Sequence, residues 1–457
     1  MAERGGGGKA RAADPARRAA WEVLKTVRVD DAYANLVLPA VIEHFRLDQR
    51  DAAFTTELAS GTLRWRGLYD AILATCVDRA LSRVEARVLD ALRLGVHQLL
   101  AMRVPTHAAI SATVDLVRDI GNEGAAGFTN AVLRKVSARD RDEWVAEVAG
   151  PAGTRKHLEV ALSHPAWVVE ELARGLGPTR VDELADLLQA DNDPPAVTLV
   201  ARPGRAEPAE LPGTPTRYSP YGVVLDGGRP SAVAAVAEGR AGVQDEGSQL
   251  VALALARAGL DGPDRTWFDM CAGPGGKSAL LAALAAERGA VLLAGERAPH
   301  RAGLVRKALA GASGVAGVVV ADGARPPLRP GSVDRVLVDA PCTGLGALRR
   351  RPEARWRRRY DDMMNLVLLQ RSLLSSALDL VRPGGVVAYA TCSPVYAETS
   401  QVVGSLLGGR QDFVLDDATQ LLPEVPDAEG TLAGTVQLWP HRHGTDAMFV
   451  AVLRRWD

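Results

Sequence analysis

Between Ala16 and about Arg139, apolar residues return every three or four positions. In VEARVLDALRLGVHQLL, the residues Val84, Val88, Leu92, Val96 and Leu99 form one stripe, the period of an amphipathic helix. Pro105 interrupts the pattern, and HAAISATVDLV resumes it with Ile110, Val114 and Val117. WEVLKTV, DAYANLVLPAVIEHF and DAAFTTELASGTLRW have the same texture, so residues 16–140 are predicted to form an all-helical bundle. Over 141–240 the pattern is mixed. WVVEELARGLG and VDELADLLQA read as helices, whereas in NDPPAVTLVARPG the pair Pro194-Pro195 ends any helix and VTLV reads as a strand. With the Pro- and Gly-rich stretch 203–230, this region is expected to be a small α+β middle domain and connector.

From 241 to 457, short β-rich runs alternate with helical ones. TWFDM, AVLLAGE, GVVVAD, RVLVDAP and VVAYATC supply the β-rich runs, and segments such as SALLAALAAERG stand between them. This alternation predicts a Rossmann-like α/β domain with a doubly wound parallel sheet, which binds ligands at the carboxyl ends of its strands. Cys271, Glu296, Asp322, Asp339 and Cys392 all fall at such ends.

Composition adds limits. A chain of 457 residues is expected to hold two or three domains at about 100–200 residues each. The 54 Lys plus Arg nearly balance the 55 Asp plus Glu, so any polyanion partner must be met by a local cluster. The four cysteines, Cys76, Cys271, Cys342 and Cys392, include no C-x-x-C pair. Free thiols in a reducing cytoplasm are expected, with neither a disulfide framework nor a metal site. No apolar run approaches the roughly 18–20 residues of a membrane span. The start MAERGGGGKARAADPARR has no apolar core of a signal peptide; residues 1–15 read as a disordered basic arm.

The loop CAGPGGKS (Cys271 to Ser278) fits a triphosphate-binding pattern except at its first position, where Cys271 replaces glycine. Pro274 also removes an amide donor from any anion cradle, and Gly273, Gly275 and Gly276 do not give G-x-G-x-x-G. A third reading is S-adenosylmethionine, with glycines for close backbone approach and an acid on the next strand for the ribose. Glu296 lies 21 residues after Gly275 (296 − 275), near the offset of about 20 expected for a ribose-binding acid. Asp322 is placed to hold the adenine amino group. The bland alternative for both acids is capping of the helices that follow.

Cys342 and Cys392, 50 residues apart (392 − 342), each precede a turn at a strand end. A lone cysteine is usually a small buried hydrophobe, but chemistry offers this pair a use. A thiolate adding to C6 of a pyrimidine turns C5 into an enamine carbon able to attack a methyl sulfonium, splitting one hard step into two. A second thiol nearby can assist release, and Asp339 can hydrogen-bond the ring edge. Just beyond, LRRRPEARWRRRY places seven arginines (349, 350, 351, 355, 357, 358, 359) beside Trp356 and Tyr360. This mixture suits phosphates and unpaired bases, and a solvated helix face is its alternative.

Together DMCAGPGGKS, VDAPCTG and YATCS resemble the cofactor, Pro-Cys and Thr-Cys motifs of the Sun/Fmu-type RNA (cytosine-5)-methyltransferases, the ribosomal RNA small subunit methyltransferase B family. GVQDEGSQL and LWPHRHGTDAMF resemble flanking motifs of the same catalytic domain, and PTHAAISATVDLV and GFTNAVLRKV resemble a NusB-like RNA-binding domain. The resemblance covers nearly the whole chain after the arm. It implies that Cys392 is the nucleophile, that Cys342 assists product release, and that Asp339 contacts cytosine. It implies S-adenosyl-L-methionine contacts at Cys271, Ala272, Gly273, Pro274, Gly275, Gly276, Lys277, Glu296, Asp322 and Asp339, with Glu296 standing where the family more often has Asp. The implied partner is RNA, small-subunit rRNA, bound through Arg349, Arg350, Arg351, Arg355, Trp356, Arg357 and Arg358 by a monomer, with no DNA and no membrane involved. A tRNA methyltransferase and a non-catalytic RNA-binding assembly factor are the alternatives, with DNA methyltransferase and P-loop NTPase as more distant rivals.

Overall fold

The computed structural model describes residues 13–456. The basic arm expected over residues 1–15 lies outside the described residues up to position 12. Its last residues are structural: Asp14 accepts a hydrogen bond from Arg17 N at 3.0 Å and caps the helix that begins at Pro15.

The chain forms two compact units. One holds the residues up to Val169 together with the segment Arg350–Arg357. It is all-helical, and its central helix, Ala86–Leu100, buries residues on every side. Val84, Val88, Leu92 and Val96, the predicted stripe, share one core cluster with Leu68, Ile72 and Leu133, while Leu94 faces a second with Trp21, Leu24 and Val117. A helix buried all round must pair its polar residues. Asp90 accepts from Arg28 Nε at 2.7 Å, and Arg93 holds Asp70 at 2.7 Å. The unit runs past the expected boundary at 140. Helices Arg141–Val148 and Arg155–Ala161 join it, because Trp144 is buried in its core and donates to Val136 O at 2.9 Å.

The second unit holds Glu170–Arg349 and Arg358–Asp457. Its first sheet is antiparallel, made of β1 (Thr198–Ala201), β2 (Thr214–Pro215), β3 (Gly222–Val224) and β4 (Ala241–Val243) in the order β2-β3-β1-β4. Its second sheet contains β5 (Thr266–Asp269), β6 (Val291–Glu296), β7 (Val315–Val320), β8 (Val333–Asp339), β9 (Val381–Thr391), β10 (Phe413–Asp416), β11 (Val436–Gln437) and β12 (Phe449–Arg455). The order is β10-β12-β9-β8-β5-β6-β7, with β11 paired to β12. Strands β5 to β9 pair in parallel, and β12 runs antiparallel to β9. Side chains alternate across this sheet as a strand requires. Trp267, Leu337 and Ala388 belong to one core cluster, and Phe268, Val336 and Tyr389 to the other. Both faces are therefore covered, which explains the continuous apolar runs.

The chain winds outward from β5 through β6 to β7, then returns to place β8 on the other side of β5. The reversal between β5 and β8 is the switch point at which such sheets open a ligand crevice. The loops that leave these two strands carry Cys271–Lys277 and Asp339–Cys342.

Candidate active site

The glycine loop is pinned to the strands beside it. Met270 N donates to Leu337 O and Ala272 N to Gly295 O, each at 2.9 Å. Gly273 N donates to Glu296 Oε2 at 3.2 Å, and Arg301 Nη2 donates to Gly273 O at 2.6 Å. Gly275 has φ +112° and lies against the Val305 backbone, so this position requires glycine, whereas a Cβ on Gly273 would displace the Glu296 carboxylate that braces the loop. Gly275 precedes helix Gly276–Glu287, whose N-terminus has no side-chain cap. Its leading amides are thus available to a ligand.

Glu296 is engaged with the backbone on both sides. It caps Ala298 N at 2.9 Å while bracing the loop at Gly273, and it lies at the strand end beside that loop. Asp322, exposed just past β7, accepts from Ala324 N at 3.0 Å. Deeper in, Asp269 is buried with Oδ2 accepting from Ser278 Oγ at 2.6 Å, and burial pushes it up to about 7.

Lys277 does not extend toward a phosphate cradle. Its Nζ lies 2.9 Å from Asp339 Oδ2 and 3.3 Å from Ser248 Oγ. Burial works against its charge, but Asp339 outweighs it and leaves Lys277 above the ordinary lysine value; Cys392 adds to that attraction. This joins the β5 helix, the β8 end and the β9 thiol into one electrostatic group.

Cys342 and Cys392 are brought together, Sγ to Sγ at 3.3 Å. The hydrogen bond with Cys392, then burial, hold the Cys342 thiol well above the usual thiol range. Cys342 is therefore the partner that keeps its proton. Cys271 is not part of the pair. Burial first, then Asp269, Asp339 and Glu296, hold its thiol well up as well, and it packs against the core. It lines the loop as a small residue against the core.

Sequence reasoning missed several residues. Glu398, in the stretch after Cys392, is buried and accepts from Thr343 N at 2.8 Å and Ser393 Oγ at 2.6 Å. Gln370 reaches Pro341 O at 2.9 Å from helix Tyr360–Leu380. Gln244 is buried with neither amide atom hydrogen-bonded by protein, and its Cδ lies 3.9 Å from where a Cβ on Gly276 would stand. A buried amide without a protein partner beside an uncapped helix start fits a polar ligand. Of these, only Gln244 lies within a stretch the sequence singles out, GVQDEGSQL.

The arginine run divides. Arg355 is fully buried in the helical unit and donates to Ser163 O at 3.1 Å. Arg357 donates to Ala32 O at 3.1 Å and stacks over Tyr33, as does Arg351, each 4.6 Å from the ring centroid. Trp356 packs at Gly67, and buried Glu353 accepts from Ala34 N at 3.0 Å, capping helix Ala34–His44. The expectation of one RNA-facing surface is corrected at Arg355, which is fully buried, while Glu353, Trp356 and Arg357 beside it also make contacts within the helical unit. Arg349 donates to Gly444 O at 2.8 Å in the second unit, where Arg358 is half-buried and Arg359 exposed. Arg350 is half-buried. Among the described residues, no helix is long and apolar enough to cross a membrane, and no cluster of His, Cys, Asp and Glu could hold a metal ion.

Comparison with known proteins agrees with this arrangement. The 16S rRNA methyltransferase RsmB/F family matches residues 260–454, and the NusB family matches residues 14–138. A protein of Mycobacterium tuberculosis named for methyltransferase activity is 49% identical, covering 100% of both chains. The ribosomal RNA small subunit methyltransferase B of Pseudomonas putida is 31% identical over 91% of this chain and 94% of its own. Among solved structures, PH0851 has the same fold, with a TM-score of 0.80 at 23% identity, covering 98% of this chain and 100% of that one. NSun6 from Pyrococcus horikoshii, solved with SFG, has a TM-score of 0.51 at 17% identity, covering 63% of this chain and 98% of that one. With a strand-end crevice, a glycine loop and paired thiols in place, the chain belongs to the RsmB/F family of rRNA methyltransferases and carries a NusB-family domain ahead of the methyltransferase domain.

Proposed function

We propose that the protein transfers a methyl group from S-adenosyl-L-methionine to C5 of a cytosine in 16S rRNA, through a covalent bond between Cys392 Sγ and C6. The observation that carries this reading is the thiol pair at 3.3 Å beside the Lys277–Asp339 ion pair. Bound at the glycine loop, S-adenosylmethionine supplies an electrophilic methyl group. The loop Cys271–Lys277, the uncapped helix start, Glu296 for the ribose and Asp322 for the adenine would hold it. The unpartnered Gln244 amide supports that fit.

The chain's own residues do the rest. Lys277 stabilises negative charge on the Cys392 sulfur, which adds to C6 and leaves C5 electron-rich. Asp339 is placed to bond the cytosine edge and so to orient the ring. After C5 gains its substituent, its proton passes to a base and the S–C6 electron pair returns to Cys392. Cys342, next to the departing sulfur, assists that release. Outside the crevice, exposed Arg359 and half-buried Arg349, Arg350 and Arg358 contact RNA phosphates. A monomer in the reducing cytoplasm fits the four free cysteines.

Mapping 5-methylcytosine in total RNA with and without the gene tests the substrate. Loss of one 16S rRNA site is expected. Unchanged rRNA with loss of a tRNA site would overturn the rRNA assignment. Calorimetric titration tests the cofactor, with binding of S-adenosylmethionine expected; magnesium-dependent ATP binding alone would overturn it.

A further inference from the structure

Glu398 has no place in the mechanism above, yet it is the most heavily hydrogen-bonded carboxylate near the crevice. Its Oε1 accepts from Thr343 N at 2.8 Å and from Gln370 Nε2 at 3.0 Å. Its Oε2 accepts from Thr343 Oγ1 and from Ser393 Oγ, each at 2.6 Å. Thr343 directly follows Cys342 and Ser393 directly follows Cys392. The same Gln370 amide donates to Pro341 O, the residue before Cys342, at 2.9 Å. The backbone carbonyl of Glu398 accepts from Tyr389 OH at 2.7 Å, three residues ahead of Cys392. One buried side chain is thus bonded to the residue that follows each cysteine, in two loops 50 residues apart in sequence.

We infer that Glu398 is the positioning residue of the thiol pair: its carboxylate ties the residue following each cysteine into one rigid node and so holds the two sulfurs at bonding distance. The inference rests on the reading above only where it calls Cys392 the nucleophile; the geometry of the node is independent of it. Burial pushes the Glu398 carboxyl up, and the bonds from Ser393, Thr343 and Gln370 work against that rise by favouring the charged form. Bonds to a carboxylate are charge-assisted and strong, and a fully satisfied buried network rigidifies what it touches. A shift of about 1 Å between reacting groups is enough to cost about 100-fold in rate.

The charge has a second effect. Glu398 is one of the groups that raise Cys342, after the Cys392 hydrogen bond and burial. The titratable groups around this node are Cys342, Cys392, the Tyr389 hydroxyl, and Glu171 with its partner Arg174 on helix Ala166–Leu176. Removing the negative charge while keeping the shape should therefore let Cys342 ionise at lower pH.

Glutamine separates the two effects. In Glu398→Gln the amide oxygen still accepts from Thr343 N and Gln370, while the amide NH2 can donate to the Thr343 and Ser393 hydroxyl oxygens. Glu398→Ala removes the node. Oxidation of the full-length protein by diamide reads the sulfur separation without RNA or cofactor. The two thiols form a disulfide, and their two protons and two electrons convert the reagent's N=N bond to a hydrazine. Site-resolved alkylation of Cys342 across pH, followed by mass spectrometry, reads its ionisation.

The expected result is a disulfide formation rate within about 3-fold of wild type in Glu398→Gln and at least about 10-fold slower in Glu398→Ala, with circular dichroism unchanged. In Glu398→Gln, the Cys342 alkylation profile should also move to lower pH. Should Glu398→Ala fail to fold, Thr343→Val and Ser393→Ala each remove one leg, and each is expected to slow disulfide formation. The inference is overturned if Glu398→Ala, or both single-leg variants, keep the wild-type rate. It is equally overturned if the folded glutamine variant loses as much as the alanine variant. If disulfide rates follow this pattern but Cys392→Ala still transfers methyl groups, the proposed reaction fails and the positioning role stands.

Discussion

Gly346 offers a sharp test of how tightly the Cys392 loop is held. It lies four residues after Cys342, its N donates to Cys392 O at 2.9 Å, and Ala447 N donates to its carbonyl at 2.8 Å. A Cβ at this position would overlap the Ala447 carbonyl oxygen and stand 2.9 Å from the carbonyl carbon and oxygen of Cys392. Comfortable carbon–oxygen contacts are about 3.3–3.6 Å. Gly346→Ala therefore pushes the Cys392 carbonyl back by at least about 0.4 Å, and the β12 side by more. Overpacking of this kind costs about 1–3 kcal/mol of stability. On the proposed mechanism, a sub-ångström to 1 Å displacement of the Cys392 sulfur predicts a fall in kcat of about 10–100-fold. Cofactor affinity should hold, since the variant leaves residues 271–277 untouched. The assay pairs steady-state methylation with calorimetry of cofactor binding and denaturant unfolding. Gly404→Ala is the control: it sits in helix Ser400–Leu407 with open space around a Cβ, and should leave activity unchanged and add up to about 1 kcal/mol of stability. Wild-type kcat in folded Gly346→Ala would refute the claim that loop position limits the reaction.

Asp269 carries a pH signature. Its folded value of about 7 lies above the ordinary aspartate value of about 3.9, so the folded state holds the extra proton. Its contribution is complete below about pH 4 and lost as pH rises through about 7. Asp269→Asn, which can still accept from Ser278, should flatten the stability profile between those limits, as read by urea midpoints; an unchanged slope would contradict the assignment. Arg355→Ala should lower stability by about 1–3 kcal/mol, the cost of unsatisfied buried acceptors, without changing the salt dependence of RNA binding. Arg359→Ala should do the reverse, leaving stability within about 0.5 kcal/mol and making the log–log salt slope shallower by about 0.7 if it contacts one phosphate of single-stranded RNA. Filter binding at several salt concentrations distinguishes the two.

Much of the candidate site was legible because strand ends are legible. Alternating β-rich and helical runs gave the positions of Cys271, Glu296, Asp322, Asp339 and Cys392, and parallel pairing then gathered the loops of β5, β8 and β9. Glu398 escaped because its meaning depends on Thr343, 55 residues away, and on Gln370 from a helix between them. Those meetings are made by topology, and no local spacing encodes them. The arginine run misled for a related reason. Charge density marks a segment as basic, but burial at Arg355 and ring stacking at Arg357 depend on Ser163 and Tyr33, more than 190 residues earlier. The NusB-family match ends at 138, close to the expected boundary, and the compact unit continues past it because Trp144 packs into the same core across a turn, where apolar periodicity is too short to read.

The central claim is that Cys392 forms the covalent bond and Cys342 assists its release. Incubating each alanine variant with substrate rRNA and cofactor, then separating protein under denaturing conditions, tests it most directly. Cys342→Ala should accumulate a denaturant-resistant protein–RNA adduct, and Cys392→Ala should form none and transfer no methyl groups. Methyl transfer retained in Cys392→Ala, with transfer and adduct both lost in Cys342→Ala, would contradict the account.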